Sequence, residues 1–195
     1  TLDEVVAASG STHSTINQRD ADDQVLRKFR FAISVNGEYT AYHGGTVENA
    51  LAAINATMTR NNAIYEVDMA VTFEVQDFPS LIYTDAATDP YSGSLSNWNV
   101  ELQNTLTTEI GNAAYDIGHM FGASGGGGNA GCIGCVCRDD TDSTSDQNKG
   151  AGITSPSDGI PEGDNFDVDY VAHEIGHQMG ANHTFSHNTE GTGVN

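Results

Sequence analysis

The segment from His173 to His183 contains three histidines whose spacing suits the binding of one metal ion. His173 and His177 are four residues apart, so on a helix their imidazoles lie on one face about one turn apart. Both rings can then bind a single tetrahedral zinc ion at about 2.0 to 2.1 Å. Gly180 permits a sharp turn after the helix, and His183 follows as a third ligand. Three neutral histidines leave one coordination position open, which is typical of a hydrolytic zinc site.

Glu174 directly follows the first of these histidines. A carboxylate at this position reaches a water molecule on the metal but is poorly directed to be a ligand itself, which is the geometry of a general base. The supporting helix is predicted by an apolar stripe and an aspartate cap: Val168, Val171, Ile175 and Met179, with Asp167 or Asp169. A helical His-Glu-x-x-His also arises by chance on a polar face, but its continuation to His183 favours zinc.

The chain has 195 residues with 7 basic and 27 acidic side chains, and this length suits one domain. The acidity disfavours nucleic acid and anionic membranes as partners, because both are bound through lysine and arginine. A surface that keeps an extracellular protein soluble is the plainer interpretation of the charge. No apolar run is long enough to span a bilayer. Because the sequence starts at Thr1 without a signal segment, we expect a secreted, processed form whose targeting and pro segments were removed.

Hydrophobic periodicity predicts alternating strands and helices after an irregular arm or pro-segment remnant at residues 1–24. In order, the pattern predicts a strand at 29–35, a helix from the N-cap Thr46 to Asn61-Asn62, strands at 67–75 and 81–83, a helix at 97–110 capped by Gly111, and a strand at 115–121. The first strand, helix and strand predict a right-handed crossover between parallel neighbours.

Two polar stretches are predicted to be loops. Residues 125–128 are all glycine but lack the Lys-Ser/Thr and helix start of a phosphate-binding loop, so a mobile surface loop is favoured. Residues 139–169 are rich in Asp, Ser, Thr and Gly, which is typical of a long solvated connection. A calcium site is an alternative here, although the spacing is not that of an EF-hand, and its candidate ligands are Asp139, Asp140, Asp142 and Asp146. A merely solvated acidic loop is favoured over calcium.

Three cysteines lie close together, at Cys132, Cys135 and Cys137, and the odd number leaves at least one without an internal partner. Cys132 and Cys135 form a disulfide more easily than Cys135 and Cys137, whose Cα atoms in a strand would lie near the outer limit for one. A redox pair or a second metal site is less well supported than an extracellular disulfide, because no helix start follows and no fourth ligand is evident.

Four further histidines have no partner at ligand spacing: His13, His43, His119 and His187. His119 falls on the strand predicted at 115–121. A role facing the substrate is one interpretation of it, and a half-buried strand histidine is the favoured one.

The segment HEIGHQMGANH at 173–183 resembles HExxHxxGxxH, the extended zinc signature of the metzincins. From about residue 27 to 187 the chain most resembles bacterial reprolysin-like peptidases, related to the adamalysins, in segments that include YDIGHMFG, VCRDD and DNFDVDYVAHEIGHQMGANHTF. The resemblance implies an α/β (α+β) catalytic domain at 25–195, with a twisted, mostly parallel sheet, an antiparallel edge strand and an active-site helix. It also implies that Tyr115–Phe121 is the edge strand and that a peptide pairs with it.

The same resemblance implies a secreted zinc endopeptidase whose substrate is a protein or peptide. Its zinc ion would be held by His173, His177 and His183. Glu174 would deprotonate a zinc-bound water and then pass the proton to the leaving amine. The alternative is an inactive, peptidase-derived module for metal binding or adhesion.

The sequence departs from the family pattern after the third histidine. Adamalysins place Asp there, where this chain has Thr184, and no methionine follows His183 to form the Met-turn below the zinc. We therefore expect the C-terminal subdomain to be truncated, with much of the specificity pocket on another segment. A cleaved C-terminal or pro segment that stays associated would also supply a partner for the odd cysteine.

Overall fold

The computed structural model describes residues 24–141 and 145–183, which form a five-stranded mixed sheet with helices packed on it. The strands are β1 (Arg27–Val35), β2 (Val71–Val75), β3 (Ile117–Phe121), β4 (Gly127–Asn129) and β5 (Gly152–Ser155), in the spatial order β2-β1-β3-β5-β4. The first four in that order are parallel, and β4 pairs with β5 in the antiparallel direction. The predicted α/β class with an antiparallel edge strand is confirmed.

Helices connect and cover the strands. They are α1 (Gly37–Tyr42), α2 (Val47–Met69), α3 (Leu95–Glu109) and α4 (His173–Gln178), with a π-helical segment (Asn165–Ala172) that leads directly into α4. The predicted N-cap is confirmed, because the Thr46 hydroxyl accepts a hydrogen bond from the Asn49 amide at 3.2 Å. After α3, Gly111 has the positive φ of 76° that favours glycine, but its ψ of 157° is extended, so the left-handed helical cap predicted there is wrong. Within the described ranges, no helix combines the length and apolar composition needed to span a bilayer.

Both faces of the sheet carry a hydrophobic core. On one face, the strands pack against α2 and against residues of the helix that bears the histidines, namely Phe166, Val171 and Ile175. On the other face they pack against α3 through Trp98, Leu102 and Leu106. Apolar burial therefore fixes the histidine-bearing helix against the sheet, at about 25 cal/mol for each Å² of apolar surface removed from water.

The helix predicted to end at 61–62 continues to Met69, so that boundary is wrong. Asn62 keeps helical geometry because its side-chain amide bonds to β2 instead of to its own backbone. Its Nδ2 donates to the Phe73 carbonyl at 2.9 Å, and its Oδ1 accepts from the Phe73 amide at 2.8 Å. Ala70, left-handed at φ 51°, ends the helix. The strand predicted at 67–75 therefore starts only at Val71.

The short strand predicted at 81–83 is reduced to one bridge between Ile82 and Val35. A 3-10 turn at Pro79–Leu81 precedes it. Proline favours this turn because its ring fixes φ at a helical value and it has no amide hydrogen for a sheet bond.

The edge strand is not the one that the resemblance implied. The strand predicted at Tyr115–Phe121 is β3, which lies in the centre of the sheet, parallel to both β1 and β5. Every residue of β3 is buried, so a peptide cannot pair with it. The antiparallel edge strand is β4, which lies within the glycine-rich stretch that was predicted to be a mobile loop.

Residues 139–169 are not a single solvated connection, because the fully buried strand β5 lies among them. Lys149 anchors the chain just before β5, although it is a charged residue with only 4% exposure. Its ammonium group donates to the Asn112 carbonyl at 2.6 Å, pairs with Asp139, and lies 4.7 Å from the centre of the Tyr115 ring. The acidic start of this stretch is thus tied to the body of the protein by a buried cation.

Candidate metal centre

The active-site helix comprises the π-helical segment and α4. Its first half is held by polar side chains of α2. The buried carboxylate of Asp167 accepts hydrogen bonds from the Thr57 hydroxyl and the Arg60 guanidinium, each at 2.7 Å. The Tyr65 hydroxyl donates to the Ala172 carbonyl at 2.7 Å, immediately before the first ligand histidine. Asp167 is therefore an internal anchor of this helix. The predicted N-cap at Asp167 or Asp169 is wrong, because the helical segment already begins at Asn165.

His173, His177 and His183 converge at the end of this helix. Their Nε2 atoms are 3.0 Å apart for 173 and 177, 3.1 Å for 173 and 183, and 3.2 Å for 177 and 183. Nitrogens bound to a tetrahedral zinc at about 2.1 Å are roughly 3.4 Å apart, so this cluster is close to the size that zinc requires. Within residues 24–141 and 145–183, these histidines are the only group of three or more His, Cys, Asp or Glu side chains close enough to hold an ion.

The contacts of His177 and His173 favour neutral imidazole rings, which is the form that binds a cation. The Nδ1 of His177 lies 2.7 Å from the Ala181 carbonyl, which can only accept, so Nδ1 carries the hydrogen and Nε2 presents its lone pair to the cluster. Burial, and then the neighbouring His177 and His183, lower the pKa of His173. A neutral ring is thereby favoured, and neutral imidazole is the form that binds zinc.

The turn after α4 brings the third histidine back to the first two. Gly180 adopts φ 109°, a conformation that favours glycine, and the Ala181 amide donates to the Gly176 carbonyl at 2.9 Å. The predicted role of Gly180 as the turn before His183 is confirmed by this geometry.

A loop closed by a disulfide contacts the active-site helix. Cys132 and Cys135 are bonded, as predicted, and Cys137 is a free thiol. Between the bonded pair, the Gly134 amide donates to the carbonyl of His177 at 3.1 Å. The cysteine cluster therefore supports the ligand helix, and the described residues offer it no metal-binding partners.

Glu174 is 7% exposed and lines the same cavity as the histidines. Burial raises the pKa of its carboxyl, against a smaller opposing effect of His177. A raised pKa suits a carboxylate that must both accept and release a proton near neutral pH. Glu174 packs directly on β4, where a Cβ atom at Gly128 would lie only 2.4 Å from Glu174 Cγ. Glycine at position 128 thus makes room for the glutamate.

The three histidines, Glu174 and the edge strand β4 line one cavity of about 560 Å³. The remaining lining residues come from β4 and the segment after it, the disulfide loop, the active-site helix and the turn that follows that helix: Gly128, Asn129, Ala130, Gly131, Ile133, Tyr170 and Asn182. No lysine or arginine is among them. The cavity therefore combines a metal-binding corner with a neutral wall that has a strand edge.

His119 is fully buried in the sheet, and the interpretation as a substrate-facing residue is wrong. Its Nδ1 lies 2.7 Å from Gln178 Oε1, and its Nε2 lies 2.8 Å from the Thr154 hydroxyl. Burial lowers its pKa to about 4. His43 lies at the end of α1 outside the metal cluster. The two other histidines, at positions 13 and 187, fall outside the described residues.

The aspartates considered for calcium have other partners where they are described. Asp139 pairs with Lys149, and Asp140 Oδ2 accepts from the Thr107 hydroxyl at 2.7 Å. Asp142 lies outside the described residues. Among the described side chains these carboxylates do not form a group close enough to hold an ion, and their contacts with Lys149 and Thr107 tie the start of this stretch to the body of the protein.

Sequence reasoning did not anticipate Gly128 or Gln178 as supports of the site, and it gave Asp167 a different role, that of a helix cap. Gln178 had one signal, its position next to a ligand on a helix that must pack on the sheet. Gly128 had none beyond the glycine run, because the close approach of Glu174 depends on the fold. The clustering of the three histidines was predictable from their spacing, since a helix brings residues four apart together and Gly180 permits the turn to His183.

Comparison with known protein families identifies the family of the chain. Residues 26–195 match the family model described as Metallo-peptidase family M12B Reprolysin-like. No curated protein matches the chain in a sequence comparison. The matched span contains all five strands and the three clustered histidines. The chain therefore belongs to the reprolysin-like family M12B of zinc metallopeptidases.

Proposed function

We propose that this chain is a secreted endopeptidase that hydrolyses internal peptide bonds at a zinc ion held by His173, His177 and His183, with Glu174 as its acid and base. The convergence of three Nε2 atoms within 3.2 Å of one another, beside a buried glutamate, carries the proposal. When bound there, zinc supplies a Lewis acid that polarises the scissile carbonyl and makes water more acidic.

Glu174 transfers the proton in this proposal. Its carboxylate takes a proton from the attacking water and then delivers it to the nitrogen of the leaving amine, which breaks the C–N bond. The raised pKa of Glu174 supports both steps, because the acid form persists closer to neutral pH. Its contact with Gly128 limits its movement, so the carboxylate stays at the wall of the cavity.

The edge strand β4 binds the substrate backbone in this proposal. On one side β4 pairs with β5, and its residues Gly128 and Asn129 line the cavity that contains the histidines. An extended peptide can add to such an edge as a further strand, with its main-chain groups paired. The glycines of β4 place no side chain in its way. A substrate that must lie along a strand over several residues favours internal bonds over terminal ones.

The disulfide supports the extracellular part of the proposal. Cys132 and Cys135 are bonded within the loop that contacts His177, and such bonds persist in oxidising compartments. Reduction of this loop would loosen a contact to a ligand residue, so an enzyme that depends on it suits secretion.

The proposal is tested by cleavage of casein and of a peptide blocked at both ends. Glu174→Gln should lower kcat about 10²- to 10⁴-fold while zinc stays bound, because only the proton transfer is removed. Glu48→Gln, at an exposed position in the first turn of α2, is the matched control and should leave kcat unchanged. Wild-type protein that binds zinc and cleaves neither substrate would contradict the proposal and favour an inactive metal-binding module.

A further inference from the structure

A series of buried side-chain hydrogen bonds joins the centre of the sheet to the active-site helix. It runs from Thr154 on β5 through His119 on β3 to Gln178 at the end of α4. All three residues are at most 2% exposed. Gln178 Nε2 continues the chain to the carbonyl of Gly118 at 2.9 Å.

The direction of each hydrogen bond in this series follows from its last acceptor, the Gly118 carbonyl. The Gly118 carbonyl can only accept, so Gln178 presents its amide nitrogen there and its Oε1 to His119. His119 must then donate from Nδ1, and its Nε2 must accept from the Thr154 hydroxyl. Each polar side-chain atom named here thus has a partner, and the ring is held in one neutral tautomer. Burial lowers its pKa to about 4, which agrees with a neutral ring.

The sheet is shaped to receive Gln178. A Cβ atom at Gly152 would lie 2.3 Å from the Gln178 amide, so β5 accommodates this side chain only because it has glycine there. Gln178 directly follows the ligand His177, whose carbonyl accepts from the Gly134 amide on the other side. A shift of Gln178 would therefore move the backbone of a ligand.

We propose that His119 and Gln178 are positioning residues that fix the placement of His177 in the metal site, and not merely parts of the core. The inference rests on the zinc site proposed above. It predicts that a loss of either side chain weakens zinc binding and lowers kcat, with little change in KM, since β4 and not His177 holds the peptide backbone.

A second buried polar contact in the sheet provides the comparison. The Tyr91 hydroxyl donates to the Ser34 hydroxyl at 2.6 Å, and Ser34 donates to the Leu81 carbonyl at 2.9 Å. Tyr91 is 8% exposed and Ser34 is fully buried. Neither contact reaches the active-site helix, so Tyr91→Phe removes a buried hydrogen bond of the same sheet without touching the ligands.

The experiment compares His119→Phe, His119→Gln, Gln178→Leu and Tyr91→Phe with the wild type by zinc titration of the metal-free proteins and by kcat and KM. His119→Phe and Gln178→Leu should each weaken zinc binding about tenfold, as is usual for residues that support a ligand. His119→Gln should restore most of this loss, because glutamine keeps one donor and one acceptor. Tyr91→Phe should lower the melting temperature without a change in zinc affinity.

Unchanged zinc affinity and kcat in folded Gln178→Leu and His119→Phe would overturn the inference, as would equal losses of zinc affinity in Tyr91→Phe. If His119→Phe fails to fold, Gln178→Leu and His119→Gln decide the question. Failure of the wild type itself to bind zinc would contradict the proposed function, and this inference with it.

Discussion

The two halves of the active-site helix are held by different chemistry. The π-helical segment is tied to α2 by a buried carboxylate and a guanidinium, and the Arg60 side chain of that pair is 41% exposed. The half that bears His173 and His177 is tied to the sheet by neutral, fully paired groups. A charge beside the metal site would attract or repel a cation directly, whereas an amide and a neutral ring can support the ligands without adding charge. We infer that the first half secures the helix and that the second sets the ligands.

The largest effect on stability is expected where the buried Asp167 carboxylate binds Arg60 and Thr57 of α2. Asp167→Ala leaves the Thr57 hydroxyl without its acceptor and removes a partner of Arg60, so we expect a loss of roughly 2 to 3 kcal/mol in the free energy of unfolding. Asp164→Ala is the matched control, because Asp164 pairs with the same Arg60 but is 87% exposed. Urea denaturation should show a loss of at most about 1 kcal/mol for it. Equal losses in the two variants would contradict the buried anchor.

The hydrogen bonds that join His119 to Gln178 and Thr154 should stabilise the fold less in acid. The pKa of His119 is about 4 in the folded protein, against about 6.5 in an unfolded chain, so the unfolded chain takes up its proton first as the pH falls. The stabilisation is present in full above pH 6.5 and is lost as the pH falls towards 4. Its hydrogen-bond and ring partners are neutral: Gln178, Thr154, Phe31 and Phe121.

Between pH 7 and pH 5 this group should cost about 2 kcal/mol of unfolding free energy. Urea denaturation with a chelator present, so that metal release does not contribute, measures the change. The same series on His119→Gln should be flatter by about that amount. Identical pH profiles for the two proteins would show that His119 is not buried in its neutral form.

The smallest effect is expected for Gly128→Ala, which should lower kcat and leave stability nearly unchanged. Gly128→Ala places a Cβ atom 2.4 Å from Glu174 Cγ, so the glutamate must shift. We expect kcat to fall about tenfold, which corresponds to about 1.4 kcal/mol in the barrier. Gly93→Ala is the control, since its Cβ atom would meet nothing within 4 Å. Wild-type kcat in Gly128→Ala would favour the earlier interpretation of this stretch as a mobile loop.

The fold was predictable where a pattern is local and strong. The alternation before Val35 and the cap at Thr46 gave correct elements, because neighbouring residues determine them. The two short strands β4 and β5 were missed, since glycine, serine and threonine carry little hydrophobic period. Their strand geometry comes from pairing with each other and with β3, which are contacts distant in sequence.

The candidate site divides in the same way. His173, His177 and His183 could be identified because helix geometry and the turn at Gly180 bring them together. Their supports could not, because the polar chain through His119 joins residues far apart in sequence. The assignment of Tyr115–Phe121 as the edge failed for a related reason: without β5, that strand had no neighbour on its other side.

The most direct test of the central claim measures zinc and cleavage in one preparation. We predict one zinc ion per chain, loss of both zinc and cleavage of a blocked peptide on treatment with a chelator, and recovery of both when zinc is returned. His183→Ala should bind zinc more weakly and lose cleavage in parallel. Cleavage that persists in the metal-free protein, or zinc that binds equally well to His183→Ala, would contradict the account.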